Sequence, residues 1–279
     1  MKRLLEFINN LDRRWIFLFI GLAVSLPLFF PLGIDFTVSH PVQGFYDTIE
    51  KVPNGSKILM SCDYDPGSLP ELYPMTVAAL EQMFRKDLKV IVTCLWPAGP
   101  PVVERALNHM AFEYKKEKGI DFVNLGFKEG REVVMVSMGA SIPNTFPTDY
   151  NGTPVTQIQI MQGVTNFKDL AMIVNISAGY PGTKEWVQQV QARYNIDLVS
   201  GCTAVSAPEF YPYYQTGQLK GLLGGMKGAA EYEKLVGVMG LGTRGMDAQS
   251  VSHLTVFFFI LIGNLAYFVL RALKGKEVK

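Results

Sequence analysis

Two long apolar runs, one near each end of the chain, dominate the distribution of hydrophobic residues. The first covers residues 15–34 and the second covers residues 254–270. Each run has about the length of a helix that crosses a hydrocarbon core of roughly 30 Å. We therefore expect two transmembrane helices in a lipid bilayer, which tether the region between them, residues 35–250. A cleavable signal peptide is the alternative interpretation of the first run.

The region between the two runs alternates short apolar segments with segments of helical periodicity. Residues 71–87, for example, place apolar side chains along one face of a helix. Successive β-α-β units of this length pair their strands in parallel, with right-handed crossovers. The pattern predicts an α/β fold with a doubly wound, mainly parallel, Rossmann-like sheet of five or more strands. The predicted strands are residues 57–62, 89–96, 120–127, 171–177 and 197–202.

The pattern is less regular between residues 128 and 168. Residues 130–138 fit either a helix or a strand, and we prefer the helix although their valines favour strands. Residues 142–156 contain three prolines and a glycine, which predict a loop. Loops of this length inside a compact domain are often lids or contact surfaces.

Glycines recur every four residues late in the polar region. Gly217, Gly221 and Gly225 share this spacing, and residues 217–230 are interpreted as a helix with close packing partners. Three partners stay open: the domain's own sheet, a second subunit, or a ligand held in a glycine-rich cradle. With Asn264, an amide within the second apolar run, these glycines are the expected oligomer contacts.

Residues 240–245 (GLGTRG) match the G-x-G-x-x-G pattern of dinucleotide sites. Such a site needs a continuing β-α-β unit with an acidic residue about 20 positions later, whereas the second apolar run follows here. We therefore interpret this segment as a flexible joint between the domain and its anchor.

Composition and charge bear on location. The chain is 48% hydrophobic and only 18% charged, which fits a membrane-anchored protein, and its net charge of +1 gives no reason to expect nucleic acid as a partner. By the positive-inside tendency, residues 1–14 and 271–279 are cytoplasmic and the main domain is extracytoplasmic. No ATP or NAD pool exists there, and no cofactor is expected. The basic residues that flank the runs are Lys2, Arg3, Arg13, Arg14, Arg271, Lys274, Lys276 and Lys279.

The first candidate catalytic or ligand-binding residues are Asp63 and Asp65, which follow the first predicted strand. Open α/β sheets bind ligands at this carboxyl edge. The Asp-x-Asp spacing resembles that of haloacid-dehalogenase phosphatases, but the later strands lack the acids that hold a metal in such enzymes. The structural alternative is that an aspartate caps the turn that Pro66 and Gly67 shape.

Ser177 lies in NISAG, close to the G-x-S-x-G nucleophile elbow. Only His253 follows it, at the membrane boundary, so a serine hydrolase of this type lacks its base. The other histidines are His40 and His109, too few for a histidine-rich metal site, and no metal is expected.

The three cysteines, Cys62, Cys94 and Cys202, each end a predicted strand. Plain burial is the commonest fate of such residues. A disulfide between the first two and a metal or reactive-thiol role are the alternatives.

Two hypotheses of different classes follow. The first is a self-associating membrane-anchored domain, a homo-oligomer that acts as an envelope scaffold or as a ligand-sensing subunit, with other membrane proteins as candidate partners. The second is an extracytoplasmic hydrolase or transferase with Asp63, Asp65, Ser177 and Cys202 as candidate catalytic residues, beneath the loop at 142–156. The expected ligand pocket comprises Asp63, Asp65, Ser68, Cys94, Gly179 and Thr203.

Overall fold

The structure, a computed structural model, describes residues 2–34 and 36–277. The chain divides into two compact units, one of Met1–Ile34 with Arg244–Lys279 and one of Asp35–Thr243. The predicted segments 1–14, 35–250 and 271–279 each extend outside the described residues, at Met1, at Asp35, and at Val278 and Lys279 respectively. The side chains of Lys2, Lys274 and Lys276, which the charge argument uses, also lie outside the described part of the chain.

The central unit is built on a six-stranded, all-parallel sheet. Its strands are β1 (Lys57–Asp63), β2 (Lys89–Cys94), β3 (Phe122–Phe127), β4 (Met172–Ser177), β5 (Asp197–Cys202) and β6 (Gly221–Gly224). Their order across the sheet is β3-β2-β1-β4-β5-β6. The prediction of a Rossmann-like parallel sheet is confirmed, and the five predicted segments form its first five strands.

Helices follow most strands and cover both faces of the sheet. A π-helical segment, Val187–Gln191, joins two short helices on one face. In chain order the helices are α1 (Lys2–Asn9), α2 (Arg13–Phe29), α3 (His40–Lys51), α4 (Leu69–Arg85), α5 (Gly99–Tyr114), α6 (Glu132–Ala140), α7 (Ile142–Thr145), α8 (Thr183–Trp186), α9 (Ala192–Tyr194), α10 (Ala207–Gln215), α11 (Gly225–Val236) and α12 (Leu241–Glu277).

The sheet separates two hydrophobic cores because successive side chains of a strand point to opposite faces. Ile58 and Met60 of β1 join the core beneath α3, α4, α5 and α11. Leu59 joins the core on the other face, where Met135 of α6 and Trp186 of α8 are also fully buried. A strand buried on both faces is typical of parallel sheets and explains the continuous apolar runs in the sequence.

The predicted helix over residues 217–230 is wrong at its centre. Residues 221–224 form β6, the edge strand beside β5, and α11 begins only at Gly225. A Cβ atom at Gly221 would lie 2.1 Å from the backbone nitrogen of Phe45 in α3, so only glycine lets the helix backbone lie on this strand. The close packing predicted from the glycines is therefore confirmed at Gly221, where a helix lies against a strand, but nothing lies within 4 Å of a Cβ added at Gly217.

Two further expectations concern the irregular parts of the chain. The preference for a helix at residues 130–138 is confirmed by α6. The flexible conformation expected at residues 240–245 is wrong, because α12 already begins at Leu241, although the boundary between the two units does fall in this segment, between Thr243 and Arg244. The carboxylate of Glu233 accepts hydrogen bonds from the N–H groups of Gly240, Gly242 and Thr243, which satisfies donors at the start of that helix.

In the terminal unit, one helix of the described residues is long and apolar enough to cross a membrane. By length and composition this is Leu241–Leu273, with 33 residues. The N-terminal run forms α2, which ends at Phe29; its 17 residues span about 26 Å. Pro31 follows at the point where the predicted span would have continued.

Within this unit α2 and α12 touch. The rings of Phe19 and Phe259 lie 6.0 Å apart between centroids. Asp247 of α12 is buried, and its carboxylate accepts hydrogen bonds from the backbone N–H groups of Leu32, Gly33 and Ile34. One carboxylate thereby satisfies three donors in the segment that follows α2.

Candidate functional site

The carboxyl ends of β1 and β4 lie side by side at the centre of the sheet. The chain crosses to β2 after β1 and to β5 after β4, so the two connections leave in opposite directions. In open α/β folds, ligands bind outside the strand ends at such a point. Most residues that the sequence singled out lie at this edge, because they end strands or directly follow them.

Asp63, the last residue of β1, is completely buried. Its Oδ1 accepts a hydrogen bond from the backbone N–H of Leu95 at 2.6 Å. Its Oδ2 accepts from the hydroxyl of Ser61 at 2.5 Å and from the side-chain amide of Asn175 at 3.3 Å. Asp63 is thus part of the domain interior, with its acceptors occupied by neighbouring strands.

Burial raises the pKa of Asp63 from its usual value near 3.8 to about 7. Loss of hydration penalises the charged carboxylate, and the hydrogen bonds from Ser61, Leu95 and Asn175 offset only part of that penalty. The indole of Trp186 also favours the charged form, although its N–H makes no hydrogen bond of regular geometry. Asp63 therefore changes protonation near neutral pH while it stays closed to solvent.

A row of buried polar side chains runs across the sheet beside Asp63. Ser61 is in register with Thr93 on β2 and Asn175 on β4, and Asn175 is in register with Ser200 on β5. Partners in register point to the same face, so the four side chains form a continuous strip on the face that carries Leu59. We call this strip the polar row.

Most of the polar row is internally hydrogen-bonded. The side-chain carbonyl of Asn175 accepts from the hydroxyls of Ser177 and Ser200 at 2.9 and 3.2 Å. The hydroxyls of Thr183 and Ser200 are 2.6 Å apart. Thr93 Oγ1 has no hydrogen-bond partner. Ser177, a candidate nucleophile from the sequence, is therefore buried in a structural network with no base beside it.

Asp65 and Ser68 interact with each other at the start of the next helical segment. Asp65 Oδ1 accepts from the backbone N–H and the hydroxyl of Ser68, at 3.2 and 3.1 Å. The carboxylate of Glu71, in the first turn of α4, accepts from the backbone N–H of Ala204. Rossmann folds hold a ligand phosphate at this helix start. Here two carboxylates occupy it, and they would repel a phosphate.

The three cysteines are free and buried, so the Cys62–Cys94 disulfide is not formed. Burial raises the pKa values of Cys62 and Cys94 well above the usual range, and it raises that of Cys202 to about 12. A thiol acts as a nucleophile or metal ligand only as the thiolate. Within the described residues, no three of the His, Cys, Asp and Glu side chains form a group that could hold a metal ion.

The residues of the expected pocket do not line one cavity. Asp63 and Cys94 are fully buried, whereas Gly179 is exposed beside the ring of Trp96. Thr203 hydrogen-bonds to Ser206 at the end of β5. The strand ends share an edge, as predicted, but their side chains serve separate local structures.

An open cleft lies at the same edge, formed by residues that the sequence analysis did not select. Its volume is about 500 Å³, and loops that follow β2, β3 and β4 form its walls. Its lining residues are Leu95, Trp96, Pro97, Phe127, Glu129, Gly130, Arg131, Tyr180 and Pro181. We call it the Trp96 cleft.

Contacts of the lining residues, with one another and with the neighbouring Glu132, fix the walls of the Trp96 cleft. The indole N–H of Trp96 donates to the carbonyl of Pro181 at 3.2 Å. The hydroxyl of Tyr180 donates to Glu132 at 2.9 Å. The guanidinium of Arg131 lies 5.0 Å from the centre of the Tyr180 ring, within the range of a cation–π interaction. The cleft therefore joins aromatic surfaces to a cation.

Arg131 has an unusual backbone. Its φ is 53° and its ψ is −121°, a combination that L-residues other than glycine rarely adopt. A non-glycine residue held there costs of order 1–3 kcal/mol, and such residues concentrate at binding sites. This conformation occurs at the start of α6, where the side chain of Arg131 lies over the Tyr180 ring.

Comparisons with known proteins add little. No protein-family model and no curated protein matches this chain. A solved structure of trehalose-6-phosphate synthase OtsA is similar, with a TM-score of 0.32 and 11% sequence identity. The similarity covers 89% of this chain and 49% of that chain, so this chain spans about half the length of the matched structure. A likeness at this score carries no argument about function.

Proposed function

We propose that this protein is a membrane-anchored subunit whose α/β domain binds a small molecule in the Trp96 cleft. The observation that carries the proposal is a contrast at one sheet edge. The cleft exposes the faces of Phe127 and Tyr180, whereas Asp63 and Cys94 are closed to solvent. An edge that offers contact surface without a reachable nucleophile is suited to binding rather than to turnover. Of the roles expected from the sequence, ligand sensing fits this edge better than a purely scaffolding role.

The test is a thermal-shift panel on the full-length protein in nanodiscs. Neutral sugars, nucleotides, amino acids and organic acids are compared for wild type and Trp96→Ala. We expect at least one class to raise the unfolding temperature of wild type but not of Trp96→Ala. Trp15→Ala, which changes α2 instead, is the matched control. If every active compound shifts wild type and Trp96→Ala equally, or if no class shifts wild type, the proposal is refuted.

The anchoring part of the proposal keeps the two-pass arrangement, with both termini cytoplasmic and the domain extracytoplasmic. Its support is the length of α12, the contact between Phe19 and Phe259, and the basic residues outside the two runs. A short α2 is compatible with crossing, since a bilayer thins around a short helix at modest cost.

Self-association belongs to the same proposal, and Asn264 supports it. This amide is exposed on α12, within the apolar run, and makes no hydrogen bond to any described residue. An unpaired amide in lipid favours a partner that can both donate and accept, which a second Asn264 does. We expect Asn264→Leu to lower the oligomer fraction in native mass spectrometry. Thr255→Val is the control, since that hydroxyl already bonds to Val251. A monomeric wild type would contradict the idea.

A hydrolase or transferase at the same edge is the second candidate. The observation in its favour is the pKa of Asp63, which at about 7 suits general acid–base catalysis. Its weakness is access, because Asp63 is buried beneath Ser61, Leu95 and Asn175. The double variant Asp63→Asn, Asp65→Asn tests it: turnover that is unchanged by both substitutions would exclude these carboxylates from catalysis.

A further inference from the structure

We infer that the Trp96 cleft takes a small organic monoanion, with a flat apolar body against the aromatic walls and a carboxylate on Arg131. This inference rests on the proposed ligand-binding function and adds the chemical class of the ligand. It follows from the ring surfaces that the cleft exposes, the hydrogen bonds that its aromatic residues already make within the protein, and the arrangement of its charged side chains.

The walls favour a flat apolar body. Tyr180 is 52% exposed and Phe127 is 37% exposed, although both are large aromatic residues. The polar atoms of Trp96 and Tyr180 are already bonded to Pro181 and Glu132. What these side chains offer a ligand is therefore mainly their ring surface, which attracts apolar and aromatic groups.

Arg131 favours an anion. Its guanidinium lines the cleft and has no carboxylate at ion-pair distance among the described residues. Its contacts are with Tyr180, both with the ring face and with the phenolic oxygen, and no other described residue accepts from its remaining N–H donors. A guanidinium binds a carboxylate through two parallel hydrogen bonds, which adds direction as well as affinity.

The arrangement of charges favours a single negative charge. Among the described residues that line the cleft, Arg131 is the one cation and Glu129 is the one carboxylate. The first negative charge of a ligand pairs with Arg131, whereas the second charge of a phosphate dianion would find no further cation in the lining and would add to the repulsion from Glu129. The start of α4, where this fold type usually binds phosphate, is occupied by Asp65 and Glu71. Nucleotides and sugar phosphates are therefore disfavoured at both places.

The volume sets the size of the ligand. About 500 Å³ is in the range of pockets for small molecules, which is roughly 300–1,000 Å³. An aromatic acid with one or two rings fits within this space. Benzoate is the simplest probe of the class, and benzamide is its uncharged counterpart of nearly the same shape.

The experiment is isothermal titration calorimetry on the full-length protein in nanodiscs, with benzoate and benzamide as separate probes. We expect wild type to bind benzoate at least about tenfold more tightly than benzamide, because a hydrogen-bonded charge pair is stronger than a neutral pair. Arg131→Gln should bring the two affinities together. The matched control is Arg193→Gln, because Arg193 is exposed and bonds to Gln189, and it should keep the preference for benzoate.

The contrary outcomes separate the two proposals. Equal binding of both probes to wild type, lost in Trp96→Ala, would overturn the anionic class and leave the cleft as a binding site. A benzoate preference that survives both Arg131→Gln and Trp96→Ala would overturn the cleft itself. Failure of both probes to bind wild type would overturn the inferred class, while the compound panel still decides the proposed function.

Discussion

The carboxylate of Asp63 accepts a hydrogen bond from the backbone N–H of Leu95 at 2.6 Å. Asp63 ends β1 and Leu95 directly follows β2, so this bond ties the end of one strand to the start of the neighbouring loop. Trp96, which gives the cleft its name, is the next residue. The protonation of a buried carboxyl group is thereby connected to one wall of the candidate binding site.

The raised pKa of Asp63 predicts a pH dependence of stability. Its pKa is about 7 in the folded protein, against 3.8 for an unperturbed aspartate. Protonation of Asp63 therefore stabilises the folded protein. This contribution to the free energy of unfolding is complete below pH 4 and is lost as the pH rises through 7. Between these values it falls by about 1.4 kcal/mol per pH unit. We expect Asp63→Asn, measured by chemical denaturation from pH 4 to 8, to remove this slope.

The control for this measurement is Asp65→Asn, which removes a partly exposed turn cap and should leave the slope as in wild type. Parallel stability curves for wild type and Asp63→Asn would show that Asp63 has an ordinary pKa in the folded state.

The strained backbone of Arg131 predicts opposite effects on stability and binding. Arg131→Gly should raise the free energy of unfolding by about 1 kcal/mol, because glycine adopts a φ of 53° without strain. It should also weaken benzoate binding, since the cation is lost. Circular dichroism on heating measures the first effect and calorimetry the second. Asn195→Gly, at another positive φ that asparagine tolerates, should change stability little. A less stable Arg131→Gly protein would mean that its conformation is not strained.

The contact between Gly221 and α3 predicts a severe steric effect. Gly221→Ala places a methyl group 2.1 Å from the backbone nitrogen of Phe45, so β6 and α3 must separate. We expect a loss of about 1–3 kcal/mol or more in the free energy of unfolding, measured by denaturation in detergent. Gly263→Ala is the control, because nothing lies within 4 Å of the added methyl. An unaffected Gly221→Ala protein would rule out the close approach of helix and strand.

The burial of the native cysteines makes the proposed topology simple to test. Phe112 is 89% exposed on α5, and Cys62, Cys94 and Cys202 are buried. In intact cells, a membrane-impermeant maleimide should label Phe112→Cys and leave wild type unlabelled. Labelling of the variant only after the cells are opened would place the domain in the cytoplasm.

The strands were predictable because burial on both faces makes them apolar throughout. Residues 57–62 and 197–202 needed no other signal. β6 was missed because it packs against the backbone of α3, which requires glycine rather than large side chains. A four-residue, glycine-rich strand has no apolar run, and its glycine spacing suggested a helix instead.

The site was predictable in position but not in composition. The rule that ligands bind at strand ends selected Asp63, which does lie there. Its burial depends on Leu95 and Asn175, which come from distant parts of the chain. The same rule applied to aromatic residues would have selected Trp96 and Tyr180, each within a few residues of a strand end. Nothing in the sequence signalled the backbone strain at Arg131.

The polar row also bears on how the central strands find their alignment while the chain folds. Thr93, Ser61, Asn175 and Ser200 face one another only when every strand pairs in its native register. Sliding one strand by a single position would turn its hydroxyl or amide to the opposite face of the sheet, where the neighbouring strand side chains, such as Met60, Val92 and Val174, offer no hydrogen-bond donor or acceptor. The polar row thus favours the native register of the strands. Apolar side chains alone would tolerate misaligned strands, whereas this strip of hydrogen-bonding groups destabilises a misaligned sheet.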